Sequence, residues 1–288
     1  MFRFLCRALT GLTIFLDDAV QVVHRIQEDV VQEIKRLSQQ GVKEIILTGT
    51  HLGAYGSQKG DNKALTKLLY RLTEIDELKR LRLSSIEGTE IDREIMDLLA
   101  EEDVFCPHLH LPLQSGSDQI LEAMNRPYTV AEFRQTVAEL RERIPDLAVT
   151  TDVIVGFPGE TEETFAETLN VVKEIGFSKV HVFPYSAREG TPAAEMEQIN
   201  GNIIKEYSKK LRLVNEALMQ DYQKDFIGEV KEVLVEEVRD HKTDLLTGYT
   251  DNYLKVLFEG SDDLKNKLVK VKLKESLDAY HLKGKIIN

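Results

Sequence analysis

The amino-acid sequence predicts an α/β protein built on a parallel sheet, with a small all-β module behind it. Two observations carry that prediction. Between residues 27 and 183, apolar runs of strand length alternate with stretches whose apolar residues recur at helical spacing, the pattern of repeated strand–helix units. Beyond residue 226 the texture changes to short strands punctuated by Gly and Asp, which reads as a separate β module.

Taken in order, residues 28–40 form the first helix, with Val30, Val31, Ile34 and Leu37 on one face and Gly41 ending it. Residues 44–47 follow as a buried strand. Leu65, Leu68, Leu69 and Leu72 mark a second helix, with a strand over 81–84 after it. Ile91, Ile95, Leu98 and Leu99 give a third helix, and residues 108–111 a third strand. Residues 130–143 are helical, and 147–155 form a long strand rich in β-branched residues. A helix over 161–175 carries Thr164, Phe165, Leu169 and Val172 at helical spacing, and 179–183 close the series as a strand. The run Glu160-Thr161-Glu162-Glu163 places acidic groups in the first turn of that helix, where its dipole favours them. Five strands with helices between them suit either a doubly wound sheet or a partial (β/α) barrel, and both build their sites at the strand C-termini. A helix over 202–224 then straps the domain, and strands at 230–236, 248–258 and 268–273 make a small barrel of OB type.

Composition bounds the function. A chain that is 42% hydrophobic and 30% charged folds, so disorder is excluded as a class. A net charge of −12 argues against a general nucleic-acid binder. The charge is uneven: residues 226–288 are near neutral, and Lys265, Lys267, Lys270, Lys272 and Lys274 make a local basic run. That run is either a solvated strand face or a small RNA-contacting surface. Two cysteines, Cys6 and Cys106, rule out a disulfide scaffold and read as ordinary thiols. Arg3 and Arg7 before the apolar run 8–16 resemble a secretory signal in outline. Asp17 and Asp18 follow at once without a cleavage pattern, so the cytoplasm is the expected compartment. The run is too short to span a bilayer.

Four segments just past strand ends carry residues unusual for a plain turn. LTGTHLGAYG at 47–56 puts three glycines after a buried strand, where backbone approaches a ligand closely. HLHLPLQSGS at 108–117 puts His108 and His110 on one strand face; without a companion carboxylate or cysteine cluster, hydrogen bonding or packing fits them better than metal. TDVIVGFPGE at 151–160 contains Asp152 inside a β-branched strand, a costly placement unless it is paired. FPYSAREGTP at 183–192 offers an aromatic and Arg188 for a nucleobase or phosphate, and also reads as a rigid connecting loop.

In this order and spacing the segments resemble the radical S-adenosylmethionine methylthiotransferases. The wording of residues 47–56, of HLHLPLQSGSDQILEAMNRPYT at 108–129 and of HVFPYSAREGTPAA at 181–194 points to the branch acting on threonylcarbamoyladenosine in tRNA. The isopentenyladenosine branch would show Gln-Asn, and the ribosomal-protein branch Gln-Asp, where this chain has Thr50-His51. TTDVIVGFPGETEETF at 150–165 fits all three branches. The resemblance implies a partial TIM-like barrel holding S-adenosylmethionine and a [4Fe–4S] cluster at the strand C-termini. It implies radical insertion and methylation of sulfur on the base, with the cofactors carrying the hard chemistry. It also implies a TRAM domain over 226–288 that binds the tRNA anticodon stem-loop, and a monomeric state.

Carried over by position, Thr48, Gly49 and Gly53 would meet the methionine end of the cofactor. Ser84, Gln114 and Asp152 would face the same cavity from strand tips, and Gly156 would let the chain pass near the adenosine. Arg188 would lie near a substrate or cofactor carboxylate, since a guanidinium suits either anion. The match breaks before His24: the family's C-x-x-x-C-x-x-C loop is absent, and Cys6 is the lone cysteine of residues 1–23. Three thiolates hold a site-differentiated cluster, so one does not suffice. We therefore expect residues 1–24 to be unmatched and 25–225 to be a radical SAM core without its cluster loop and first strand. The expected origin is a truncated or frame-disrupted gene, the alternative being a partner chain that supplies the missing half, and the expected activity of the chain as it stands is none. The competing class is a non-catalytic tRNA-binding remnant.

Overall fold

A computed structural model of the chain describes residues 12–18, 23–49, 51–57 and 60–287. Cys6, Arg3, Arg7 and Thr50 lie outside the described residues. Parallel strands β1 (Leu12–Phe15), β4 (Glu44–Thr48) and β5 (Arg80–Leu83) form one ladder, and β6 (His108–His110), β7 (Ala148–Val155) and β8 (Lys179–Pro184) form a second. The bridges Leu81–Phe105 and Ser85–His110 join the two. Short strands β2 (Asp17–Asp18) and β3 (Val23–His24) pair antiparallel before the first helix.

Strand order decides between the two architectures left open by the sequence. A doubly wound sheet reverses its order at a switch point. Here each long parallel strand lies beside its predecessor, so the sheet is a partial (β/α) barrel. One expectation is corrected: the first strand is not missing. β1 pairs with β4 from Leu12–Ile45 to Phe15–Thr48, and Ile14 is buried in the same core as Ile45 and Leu47. An apolar run of strand length is enough to extend a parallel edge, whatever cluster loop precedes or follows it.

The helices are α1 (Gln27–Gln39), α2 (Ala64–Thr73), α3 (Arg93–Glu101), α4 (Asp118–Ala123), α5 (Val130–Arg143), α6 (Glu162–Ile175), α7 (Pro192–Glu195) and α8 (Gly201–Asp225). Their starts follow capping rules. Thr129 and Glu132 close a capping box on α5, Thr161 caps α6, and Gly176 ends α6 in the left-handed region. Glu160 thus sits before the cap of α6 rather than in its first turn, which holds Glu162 and Glu163. Alternation sends Ile45, Leu47, Leu81, Leu83, Val149, Val153, Val155 and Val180 outward into the helix-side core. Glu44, Arg80, Arg82, His108 and Thr150 lie on the other face of those strands and are also buried.

The small module is a closed barrel in the order β10–β11–β13–β12–β9. Its strands are β9 (Val230–Val235), β10 (Leu246–Thr250), β11 (Lys255–Phe258), β12 (Leu268–Asp278) and β13 (His281–Ile286). The single strand expected over 248–258 is split by a turn in which Tyr253 takes φ 69°. Val233, Leu246, Val256, Phe258, Val271 and Leu282 fill the barrel.

This module closes the N-terminal end of the half barrel. Arg80 donates to the carbonyls of Tyr249 (3.2 Å) and Glu232 (2.7 Å). The Tyr253 ring stacks on His108 at 4.8 Å, and the Arg82 guanidinium lies over the Tyr253 ring at 4.4 Å from its centroid. α8 holds both parts: Asn215 accepts from the Val180 amide (2.6 Å), and Gln223 donates to Ala279 (2.9 Å).

Candidate functional site

The four segments singled out in the sequence follow β4, β6, β7 and β8, and parallel pairing puts their strand ends on one edge of the sheet. Thr48 and Ser84 are half-buried on adjacent strands, with the Ser84 amide bonded to the Leu47 carbonyl at 2.9 Å. Gly49 follows Thr48 directly and is half-buried. Gly53 sits against the next loop, where a Cβ would come within 2.4 Å of Glu90 Cβ. Glu90 also pairs with His51 (2.5 Å), and burial pushes its carboxyl up from the ordinary value against the pull of that histidine.

Gln114 and Asp152 are brought into contact through the backbone. The Gln114 amide donates to the Asp152 carbonyl (2.8 Å) and its carbonyl accepts from Ile154 (2.9 Å). Gln114 pays for this with φ 62°, a region that costs a non-glycine residue about 1–2 kcal/mol. Gly156 turns the chain just past β7 at φ 78° and is buried; a Cβ there would lie 2.4 Å from Cγ1 of Ile204 on α8. Gly156→Ala is expected to lower stability by about 2–4 kcal/mol through backbone strain plus overpacking. Thermal unfolding of that variant, with Gly156→Ala/Ile204→Ala recovering the packing part, checks it. Arg188 is not gathered with the others. It is exposed on the loop after β8.

Three further groups, His110, His181 and Glu160, belong to the site. His108 and His110 do share a face: Thr150 Oγ1 is 3.2 Å from His108 Nε2 and 3.0 Å from His110 Nδ1. His110 Nε2 is 3.3 Å from the Asp152 carboxylate, and the His110 and His181 rings meet edge to face at 5.7 Å. This gives a hydrogen-bonded line from His108 through Thr150 to His110, with the Asp152 carboxylate in contact beyond it. Burial holds both His108 and His181 below the ordinary histidine value. The sequence pointed to His110 and Asp152 separately; His181 was missed because its only signal is its register opposite Asp152. Glu160 is the third: its carboxylate accepts from the Gly156 amide at 2.5 Å and is pushed up to about 7 by burial.

A cavity of about 350 Å³, lined by Lys179, Tyr222, Tyr249, Asn252 and Tyr253 among others, lies between the half barrel and the small barrel. It is at the N-terminal end of the strands, opposite the gathered loops.

Comparison with known proteins decides the lineage. The Radical SAM superfamily profile matches residues 17–172, more than half of the chain, and a TRAM domain profile matches residues 224–287. The chain belongs to the radical SAM superfamily. A Bacillus subtilis (strain 168) protein, threonylcarbamoyladenosine tRNA methylthiotransferase MtaB, is 45% identical over 253 residues, covering 86% of this chain and 56% of its own length. A tRNA-2-methylthio-N(6)-dimethylallyladenosine synthase of Thermobifida fusca (strain YX) is 44% identical over 218 residues, covering 75% and 44%. The chain thus spans about half the length of the curated relatives it matches. Among solved structures, the Escherichia coli radical SAM enzyme HemN, a coproporphyrinogen III oxidase, superposes with TM-score 0.50 at 15% identity, covering 95% of this chain and 69% of HemN. That likeness is one of fold.

The radical SAM superfamily uses S-adenosylmethionine and a [4Fe–4S] cluster. The donor set at the strand C-termini fits the first. Thr48, Ser84, Gln114 and Asp152 are half-buried hydroxyl, amide and carboxylate groups, the donor and acceptor types that a ribose and an amino-acid arm would take. The residues do not fit the second. The one described cysteine, Cys106, is buried with its thiol pushed up to about 12 by burial, and it precedes β6 at the N-terminal end of the strands. A protonated thiol at the wrong end holds no iron.

Proposed function

We propose that this chain is the S-adenosylmethionine-binding barrel and RNA-binding module of a tRNA methylthiotransferase that acts on threonylcarbamoyladenosine beside the anticodon. The observation that carries the reading is the gathering, on one barrel edge, of the strand ends that lead into the four segments, three of them within the radical SAM match, in a chain with a TRAM barrel behind them. The 45% identity to the Bacillus subtilis relative supports the threonylcarbamoyladenosine branch. In this proposal Thr48, Gly49 and Gly53 bind the methionine arm, Ser84, Gln114 and Asp152 the remaining polar groups, and Gly156 passes the adenosine, while Arg188, exposed on the loop after β8 and apart from these groups, meets a carboxylate of substrate or cofactor from there. The compartment proposed with this reading is the cytoplasm, where a tRNA substrate would be met. No described helix is long and apolar enough to cross a membrane.

The TRAM barrel has a surface suited to RNA. Lys270, Lys272 and Lys274 alternate on the exposed face of β12, and Lys272 lies directly opposite Lys285 of β13. Like charges opposite one another are destabilising, and a phosphate backbone relieves that repulsion.

With two cysteines in the sequence and Cys106 unfit for iron, the chain in this form does not cleave S-adenosylmethionine reductively. That observation also favours the second reading, a tRNA-binding remnant without turnover. Calorimetry with S-adenosylmethionine tests the site: Gln114→Ala and Asp152→Asn are each expected to weaken binding about tenfold, roughly 1.4 kcal/mol. Unchanged affinity in both removes the assignment. After incubation with iron and sulfide, deoxyadenosine formation would overturn the claim of inactivity. A tRNA gel shift at low salt whose salt slope drops by about one in Lys272→Ala supports the RNA face.

A further inference from the structure

We propose that His110, Asp152 and His181 form a binding site for one divalent transition-metal ion of zinc type inside the half barrel. The sequence sets no carboxylate near the His108-x-His110 pair; the fold supplies one from β7 and a second imidazole from β8. One ligand atom of each residue lies within 4.8 Å of those of the other two. Asp152 and His181 are register partners, so their side chains leave the sheet on the same face.

The spacing suits coordination. Ligands held at about 2.0–2.1 Å around a tetrahedral ion are about 3.3–3.4 Å apart along each edge. His110 Nε2 and Asp152 Oδ1 are already 3.3 Å apart. His181 completes the face by closing the remaining gap, a movement of side-chain scale.

A ligating histidine needs its other ring nitrogen held, which fixes the tautomer and aims the lone pair. His110 has that support: Thr150 Oγ1 sits 3.0 Å from Nδ1, leaving Nε2 turned toward Asp152. His108 is excluded as a ligand because it is buried under the Tyr253 ring. The three ligands are half-buried rather than sealed, which leaves a coordination position open to water. Two imidazoles and one carboxylate favour zinc, cobalt or ferrous ions over magnesium and calcium, which take oxygen ligands.

The inference does not rest on S-adenosylmethionine binding, and its test contains none. The full chain, stripped with chelator, is titrated with Co²⁺ while the visible ligand-field bands are followed. The expected result is one equivalent bound with the intense bands of a low-coordinate site, displaced by Zn²⁺. His110→Ala and His181→Ala should each weaken Co²⁺ binding by at least about tenfold, and Thr150→Val by about tenfold through loss of the tautomer lock. Circular dichroism confirms that the variants fold. Should one fail to fold, proton NMR of the wild-type chain with Co²⁺ still decides, since the ring signals of two histidines should be hyperfine-shifted. No saturable binding overturns the proposal and leaves His110–Asp152 as a plain ion pair. Binding that survives in both histidine variants, or shifted signals from other histidines such as His281 beside Asp278, overturns it equally.

Discussion

Glu44→Ala is expected to cost about 3–5 kcal/mol of folding stability, the usual penalty for stranding a buried charge. Glu44 is fully buried and Arg82 is 2% exposed. The guanidinium meets the carboxylate in a two-point fork, Nε to Oε1 at 3.1 Å and Nη2 to Oε2 at 3.3 Å. Arg80, equally enclosed, adds a contact to Oε2 at 3.7 Å. Glu44 thus holds Arg82 in the floor of the half barrel and shares Arg80 with Glu232, which lies 3.6 Å from Arg80 Nη2. Alanine strands the Arg82 guanidinium, while Arg80 keeps Glu232 at 3.6 Å, and the Tyr253 ring that Arg82 supports loses its seat. Urea unfolding of wild type and variant reads the loss. Glu44→Gln keeps the shape and one acceptor but not the charge, so it should fall between them. A cost below about 1 kcal/mol for alanine would mean that water reaches the floor and the small barrel does not seal it.

Glu160→Gln should stabilise the protein at pH 8 relative to pH 5, by up to about 3 kcal/mol. The sign follows from proton linkage. The folded carboxyl is raised to about 7 from the ordinary 4.5, chiefly by burial. Between those values the folded state binds more protons than the unfolded chain, so stability falls as pH rises through the window and then levels off. The penalty is thus absent at acid pH and complete above pH 7. Oε2 accepts from the Gly156 amide, while Oε1 is buried without a partner. Glutamine keeps the acceptor for Gly156 and carries no charge to desolvate. Denaturation midpoints at several pH values should show a wild-type decline across the window that the variant lacks. Parallel curves would mean that Glu160 is solvated in the folded state.

Most of the fold was legible from apolar periodicity. Helix α5 runs over the residues its pattern marked, and α1, α2, α6 and α8 differ from their expected ends by a residue or so. Such patterns are strong because each helix buries one continuous stripe. The elements that escaped were short or unpatterned: β1 within an apolar run that resembles a leader, α4 with six residues, and β13 with only Leu282 deeply buried. The site was legible in part. Glycines and lone polar residues at strand tips marked Gly53, Gly156, Gln114 and Asp152, and the fold gives each a close approach, a left-handed turn or a strand-edge contact. Arg188 drew notice by residue type alone, and the fold leaves it on the surface.

The sequence by itself determined the alternation of strand and helix, the change to a β barrel near residue 226, and the shortage of thiolates for a cluster. These are properties of local pattern and composition, and no packing can undo them. Only the tertiary structure decided that the sheet curls as a barrel, that Tyr253 and Arg80 close its floor, and that His110, Asp152 and His181 converge. Each depends on register between strands tens of residues apart. A one-residue slip would turn those side chains to the opposite face, and one strand's own sequence does not specify its partner's alignment.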